Sequence, residues 1–443
     1  MKKVLIANRG EIARRIIRTA RRMGLQTVAV YAEVDQDLPF VAEADEAYAL
    51  GGKRPLESYL HQEKLLEAAR RTGADAIHPG YGFLSENAEF AQAVRQAGLT
   101  FVGPEPKLIA MMGDKAVARS VAEAHGVAVV PGSTPLVDVN AARKAAQDIG
   151  YPVMLKAKAG GGGIGMQRID DETMLEKSFA QAENRARAAF GDGTLYLEKA
   201  LTRPRHVEVQ IAADRGGEVV HLYERDCSLQ RRHQKVVEMS PAPQLPMRLR
   251  EKMWEAAVRL ARGVSYTNVG TIEFLVDVEE ERFYFLEMNT RLQVEHGVTE
   301  LITGEDLVAW QFLISMGEPL PKKQADLHTK GEAIEFRIYA EDPETFYPSP
   351  GKLLVYDVPH GEGVRIDDGY RAGNTISPFY DPLLSKLLIA ADDRSTLLER
   401  SREALRAYRI EGIKTNIPFL LKVLDDPRMI HGFVHTEFFA ERR

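Results

Sequence analysis

Cysteine is almost absent: Cys227 is the single one in 443 residues. An internal disulfide framework is therefore excluded, and such usage fits a reducing compartment, so a cytoplasmic location is expected. Positive charge is not in excess. Lys and Arg number 58 against 64 Asp and Glu, a net charge of −6 with neutral His, which argues against a non-specific nucleic-acid binder. Long hydrophobic runs are missing, and none approaches the ~18 residues of a membrane span. Near the N-terminus only four apolar residues precede Asn8 and Arg9, too few for a signal-peptide core. Internal repeats and low-complexity tracts are missing too. What remains is a globular composition of 44% hydrophobic and 28% charged residues, which excludes disordered and collagen-like classes. At roughly 150 residues per domain the length predicts about three domains.

The first hundred residues alternate strand and helix. Residues 4–7, 27–31, 76–78 and 100–102 read as strands. Residues 11–23, 58–72 and 88–98 read as helices, the first with Ile12, Ile16 and Ile17 on one side. This rhythm predicts an α/β fold with a parallel, doubly wound sheet. Gly103-Pro104 breaks it, and a helical segment follows over 106–125. Residues 151–201 predict a compact strand-loop-strand-helix-strand unit. Beyond Pro204 strands dominate, at 207–211, 219–224, 271–278 and 283–288. A Gly/Pro-punctuated, strand-rich stretch spans 332–391, and a helix is expected over 395–407.

Four consecutive glycines from Gly160 to Gly163, then Ile164 and Gly165, are the loudest local signal. The spacing meets a dinucleotide-binding pattern, but that pattern must follow a strand and open a helix. Here strands are expected on both sides. No Gly-Lys-Ser/Thr follows either. The remaining readings are a plain hairpin tip or a loop whose unshielded backbone N–H groups cradle a polyphosphate. Lys156 beside the loop supplies a point charge for phosphate.

Two apolar strands flank Glu279-Glu280-Glu281, which predicts a hairpin. A turn centred on Glu280 places Glu273 opposite Glu287, with Asn289 on the same face as Glu287. Directly opposed carboxylates among apolar neighbours destabilise a sheet unless compensated. A divalent cation would remove the conflict, and two carboxylates with an amide oxygen suit magnesium or manganese bridging nucleotide phosphates. The alternative is that both glutamates face solvent.

Arg291-Leu292-Gln293-Val294-Glu295-His296 follows the second strand, a position suited to chemistry. A glutamate near an arginine can act as base while the arginine holds a small oxyanion. An ordinary polar loop is the alternative. Residues 226–235 hold a basic cluster, either a solvated face or an anion-binding wall, and Cys227 within it reads as a small buried residue. His78-Pro79-Gly80-Tyr81-Gly82-Phe83 ends a strand of the first sheet, where open α/β sheets bind ligands.

Together these segments resemble biotin carboxylase, the ATP-grasp component of biotin-dependent carboxylases. The resemblance runs in order along nearly the whole chain. It includes Asn8-Arg9-Gly10-Glu11, the His78–Asn87 stretch, Gly113-Asp114-Lys115, the glycine loop, Glu198-Lys199, Pro204-Arg205-His206-Val207-Glu208, residues 224–237, residues 287–296, Phe336-Arg337-Ile338 and Pro348-Ser349-Pro350-Gly351. It implies an ATP-grasp fold with a Rossmann-like N-terminal domain at 1–112. An ATP-grasp domain at 113–325 with a mobile lid at about 132–203 follows, then a C-terminal biotin carboxylase domain at 330–438. Lys115, Lys156, Met166, Glu198, Lys199, Leu201, His206, Gln230, His233 and Leu275 are the implied ATP contacts, with Gly162 and Gly163 closing over phosphate. Glu273, Glu287 and Asn289 are the implied ligands of Mg2+ or Mn2+, two ions in all. Lys235, Arg291, Gln293 and Val294 form the implied bicarbonate site, with Glu295 as base. Arg337 is the implied stabiliser of the biotin enolate, and Tyr81 and Gly82 are the implied biotin contacts.

Ile164 stands where the family usually has Arg or Lys, Lys158 where a small residue is usual, and Gly297 where proline is common. Thr436 is a modest change near the adenine position. No biotin-attachment motif and no carboxyltransferase-sized region are found. The expectation is therefore one subunit of a split carboxylase, commonly homodimeric. It would act on biotin held by a separate carrier protein and serve a carboxyltransferase that selects the final acceptor. Two other readings compete: an ATP-grasp ligase with a different acceptor, and a catalytically weakened regulatory homologue.

Overall fold

The computed structural model describes residues 1–157, 166–190, 192–232 and 234–440. Lys158, Gly162, Gly163, Ile164 and His233 lie outside the described residues.

The N-terminal alternation builds a parallel sheet. Its strands are β1 (Lys3–Ile6), β2 (Gln26–Tyr31), β3 (Glu46–Ala49), β4 (Ala76–His78) and β5 (Thr100–Phe101), in the order β3-β2-β1-β4-β5. Val4, Leu5 and Ile6 are fully buried, as central strands covered on both faces require. The order reverses between β1 and β4, which opens a crevice at their carboxyl ends. Asn8 closes the two loops there, donating Nδ2 to the carbonyls of Pro79 (2.8 Å) and Tyr81 (2.7 Å). Gly80 has φ +64°, and a Cβ would lie 2.8 Å from Asn8 Nδ2, so this approach needs glycine. Helix Gly10–Arg22 leaves the crevice with Ile12, Ile16 and Ile17 in the core.

Helix 58–72 starts only at Gln62. The single segment expected over 106–125 is two helices, Pro106–Gly113 and Lys115–Ala124. Asp114 divides them because its carboxylate accepts from the N–H groups of Ala116 and Val117, capping a new helix.

Strands β6 (Val153–Ala157), β7 (Met166–Ile169) and β8 (Leu195–Lys199) form a small antiparallel sheet ordered β7-β6-β8. Helices Val139–Ile149 and Glu172–Phe190 pack on it. This unit has its own core, including Ala142, Ala146, Val153, Leu155, Leu175 and Leu197. The expected strands and helix occur in the expected order, the loop between β6 and β7 lies outside the described residues, and the helix at Val139–Ile149 is an addition.

The rest centres on one antiparallel sheet. Its strands are β9 (Arg205–Ala213), β10 (Val219–Arg231), β11 (Gln234–Ser240), β12 (Asn268–Asp277), β13 (Arg282–Asn289), β14 (Glu332–Tyr339), β15 (Val364–Asp368) and β16 (Leu383–Ala391). They lie in the order β13-β12-β9-β10-β11-β14-β16-β15. The β11–β14 pairing thus joins the strands before residue 290 to those after 330 in one surface. The basic cluster at 226–235 is not a solvated face. It continues β10 and opens β11, with Asp226, Cys227, Ser228 and Leu229 buried. Ion pairs compensate its charges: Arg205 holds Asp226 at 2.7 Å and Arg231 holds Glu341 at 2.7 Å. Among the described residues no helix is long and apolar enough to cross a membrane.

Candidate active site

The site is a row of charged residues laid across the sheet by register. Glu287 on β13 pairs with Glu273 on β12, Glu273 with Glu208 on β9, and Glu208 with Arg225 on β10. Directly opposed residues share a face, so three acids stand side by side. The cross-strand pair predicted from the hairpin is there, by a route the turn alone does not give. Beyond Glu273 the register slips, with Phe274 opposite Phe285, and Leu286 bulges out. The bulge offsets a turn one position from that assumed, so Glu273 still meets Glu287.

Cations hold this row. Lys235 donates Nζ to Glu208 (2.7 Å), Glu273 (2.9 Å) and Glu295 (2.7 Å). Arg225, fully buried, donates to Glu208 (2.5 Å) and Gln210 (2.7 Å). His206 Nε2 donates to Glu273 at 2.6 Å, and Gln230 Nε2 lies 2.6 Å from His206 Nδ1. Burial alone would raise the Glu273 carboxyl, but Lys235 and His206 outweigh it and hold it well below the usual range. Glu287 moves the other way: burial and the neighbouring Glu273 push it up. Among the described residues no side chain hydrogen-bonds to or ion-pairs with Glu287.

Glu295 stands just before helix His296–Thr303 and is buried. Its carboxylate is gripped from two sides, by Lys235 on Oε1 and by Arg337 on Oε2 at 3.0 Å. Burial favours its neutral form, but Lys235, Arg337 and Arg225 override this and keep it ionised far below the ordinary value. Arg337 on β14 also donates to Glu238 at 2.7 Å. The Cys227 thiol lies 3.8 Å from Glu295, buried as expected, and burial raises its pKa strongly. Arg291 spans Glu86 (2.7 Å), Gln293 (2.9 Å) and Asn289 Oδ1 (3.2 Å). Gln293 and Asn289 both turn an amide nitrogen to Glu273, at 3.1 and 2.8 Å. Asn289 thus joins the carboxylate pair, with its amide oxygen facing Arg291.

The nucleotide-side residues are more scattered. Lys156 on β6 and Arg119 both pair with Glu198 on β8, Arg119 at 2.5 Å. Lys199 commits its ammonium to the carbonyls of Gly150 and Tyr151, both at 3.0 Å. Lys115 is exposed at the start of its helix, Met166 is exposed on β7, and Leu201 follows β8. Leu275 pairs with His206 across β9 and β12. Tyr81 and Gly82 sit in the crevice at the end of β4, and the Tyr81 hydroxyl donates to Glu11. Thr436 meets the chain by its backbone, donating N–H to the Pro204 carbonyl at 2.9 Å.

Three family models match in series. They are the biotin carboxylase N-terminal domain over residues 1–109, the carbamoyl-phosphate synthase L chain ATP binding domain over 114–323, and the biotin carboxylase C-terminal domain over 335–441. Biotin carboxylase from Halalkalibacterium halodurans is 54% identical over 438 residues, 99% of this chain and 97% of that protein. The chain belongs to the biotin carboxylase family. Among solved structures, the Campylobacter jejuni biotin carboxylase complex with β,γ-ATP superposes with a TM-score of 0.92 at 44% identity, covering 99% of this chain and 98% of that one. The biotin carboxylase domain dimer of Hydrogenobacter thermophilus 2-oxoglutarate carboxylase, with MgADP, ADP and bicarbonate, gives 0.91 at 46% identity, covering 100% and 97%. The chain is thus a ligase with an ATP-grasp fold.

Several partners within the site were not singled out from sequence. Glu208, Glu238 and the exposed Glu86 each hold a predicted site residue, and the buried Arg225 holds Glu208. A signal existed for the first. His206, Glu208 and Gln210 alternate with Val207, Val209 and Ile211, which marks a polar face on a strand. Arg225 had none, because its partners Gln210, Thr271 and Thr299 come from three separate segments.

Proposed function

We propose that this chain carboxylates carrier-linked biotin with bicarbonate and ATP, through carboxyphosphate. The observation that carries the reading is Glu295 clasped between Lys235 and Arg337, beside Arg291 and Gln293. Bicarbonate is a weak electrophile, and transfer of the γ-phosphoryl of ATP would make it a reactive mixed anhydride. Several anions must then converge, so fixed cations must offset their repulsion. Lys235 and Arg291 hold bicarbonate in this reading, with Gln293 and the Val294 backbone. Glu295 takes its proton. Binding an anion at Lys235 would draw that ammonium from Glu295 and raise the carboxylate's basicity. Arg337 then faces the enolate oxygen of biotin, with Tyr81 and Gly82 lining its approach.

The residues present fit a divalent cation: Glu273 and Glu287 oppose each other, and Glu287 has no side-chain partner among the described residues. When bound, such an ion neutralises phosphate charge and orients the γ-phosphoryl. Glu273 and Glu287 would hold Mg2+ or Mn2+, and Asn289 would join them once its amide turns. Lys115, Lys156, Met166, Glu198, Lys199, Leu201, His206, Gln230, His233 and Leu275 surround the nucleotide, with Gly162 and Gly163 on the phosphates. Domain limits of 1–112, 113–325 and 330–438 accord with the three matched regions. The unit at about 132–203, with its separate core, is the lid that keeps water from carboxyphosphate. A cytoplasmic homodimer serving a biotin carrier protein and a carboxyltransferase completes the proposal.

The test is phosphate release from ATP and magnesium, with and without bicarbonate and free biotin, against Glu295→Gln. Release should require bicarbonate, rise with biotin, and fall about 100- to 10,000-fold in the variant, as for loss of a general base. Release indifferent to both additives would overturn the reading.

A further inference from the structure

Behind the reaction loop lies a buried cation that the mechanism above does not use. Lys386 on β16 has no exposed surface. It stands directly opposite Arg337 on β14 and Asp367 on β15 in the sheet register. Two cations side by side on a buried sheet face cost stability, and an aliphatic residue would fill the volume without that cost. The two divide the loop between them. Arg337 takes the Glu295 carboxylate at 3.0 Å, and Lys386 donates to the Val294 carbonyl at 2.7 Å. On its other side Lys386 meets Glu11 Oε2 at 3.3 Å, an ion pair without hydrogen-bond alignment. Glu11 Oε1 accepts from the Tyr81 hydroxyl. The path Tyr81–Glu11–Lys386–Val294 therefore joins the β1/β4 crevice to the residue before Glu295.

Resting on the functional reading above, we propose that Lys386 is a positioning residue. Held by Glu11, it sets the Val294 carbonyl and hence the aim of Glu295, and it links Tyr81 on the biotin side to the bicarbonate site. Occupation of the crevice by biotin bears on Tyr81. A shift of its hydroxyl moves Glu11, and the loop responds through Lys386. This gives biotin a route by which to change bicarbonate turnover, with no contact between the two ligands required.

The experiment is steady-state phosphate release for wild type, Lys386→Met and the near-isosteric Glu11→Gln, varying bicarbonate, ATP and free biotin, with thermal melts alongside. The expected result is a KM for bicarbonate raised about tenfold, the scale of one lost charge-assisted hydrogen bond. The KM for ATP should stay within about twofold, and the biotin-dependent increase should shrink by at least about half. Glu11→Gln keeps the test in force if Lys386→Met does not fold. An unchanged bicarbonate KM together with an unchanged biotin response in a folded variant would overturn the proposal. So would a lower melting temperature with all kinetic constants intact, because that marks a staple between helix Gly10–Arg22 and the sheet. A wild type indifferent to bicarbonate would overturn the functional reading itself, and this inference with it.

Discussion

Of the glutamates directly opposed across neighbouring strands of the central sheet, two pairs invite comparison. One is Glu273–Glu287 on β12 and β13, the other Glu238–Glu335 on β11 and β14. Their registers are alike and their electrostatics differ. In the first pair Glu273 receives Lys235, His206, Asn289 and Gln293 and is held ionised, while Glu287 has no side-chain partner among the described residues. In the second, burial raises both carboxyls, Glu238 to about 7 despite Arg337, and Glu335 well above its ordinary value. Neither oxygen of Glu335 has a hydrogen-bond partner, and Glu238 leaves one oxygen unpaired. Opposed carboxylates in a sheet need compensation. Fixed cations leave a net anionic cleft in the first pair, whereas in the second burial favours the neutral form of each carboxyl. An identical cross-strand motif is thus met by fixed cations in one place and by burial that favours protonation in the other.

The sharpest way to break this comparison is to neutralise one member of each pair. Glu287→Gln should weaken the magnesium dependence of phosphate release by roughly 10- to 100-fold. A magnesium titration at saturating ATP reads it, with thermal stability little changed because Glu287 makes no side-chain bond among the described residues. An unchanged magnesium midpoint would remove Glu287 from the metal site.

Glu335→Gln should behave in the opposite manner, and pH reveals it. A carboxyl whose folded pKa is raised is protonated in both states below its ordinary value of 4.5. Above that, the unfolded chain releases the proton and the folded protein retains it. Wild-type stability therefore falls as pH climbs from about 4.5 toward the folded value, and the glutamine variant is spared that loss. The variant should match wild type near pH 4.5 and gain about 1–2 kcal/mol by pH 8, in the range for relieving an unsatisfied buried polar group. Melting curves across this range check it. A difference independent of pH would mean that Glu335 is ionised and balanced by Lys386.

The same contrast shows what the sequence could and could not reveal. Glu273 and Glu287 were legible because they share a hairpin, where the turn and a one-residue bulge together set their register. Glu238 and Glu335 lie 97 positions apart in strands that meet only when the sheet assembles. No local pattern relates them. The βαβ alternation and the compact 151–201 unit were legible for the same reason, being built from neighbours in sequence. Strands β10 and β11 were partly missed because their charged residues imitate a surface run. Their ion partners Glu341, Glu208 and Glu295 are remote in the chain. The Glu295 site was read from motif order, and its twin cationic grip needed the β11–β14 pairing.

Gly297 gives the smallest expected effect and refines the contrast between packed and open parts of the site. The sequence predicts a less rigid loop where proline is common. Instead Gly297 is buried in the first turn of helix His296–Thr303, two residues after Glu295. A Cβ there would lie 2.3 Å from Leu388 Cδ2 and 3.5 Å from Glu335 Oε2. Tight packing against β16 does what a proline ring would do elsewhere, and the glycine is matched to Leu388. Gly297→Ala should therefore cost about 1 kcal/mol by overpacking, lowering the melting temperature by about 2–4 °C if the affected cooperative unit has roughly 150–250 residues. Leu388→Val in the same chain should recover part of that loss, because it withdraws the clashing methyl. The two changes should then be non-additive by about 0.5 kcal/mol or more, as expected for residues in contact. Strict additivity in the double-mutant cycle would show that Leu388 does not confine this turn, and the position of Glu295 would then depend on Lys235, Arg337 and the Val294 carbonyl alone.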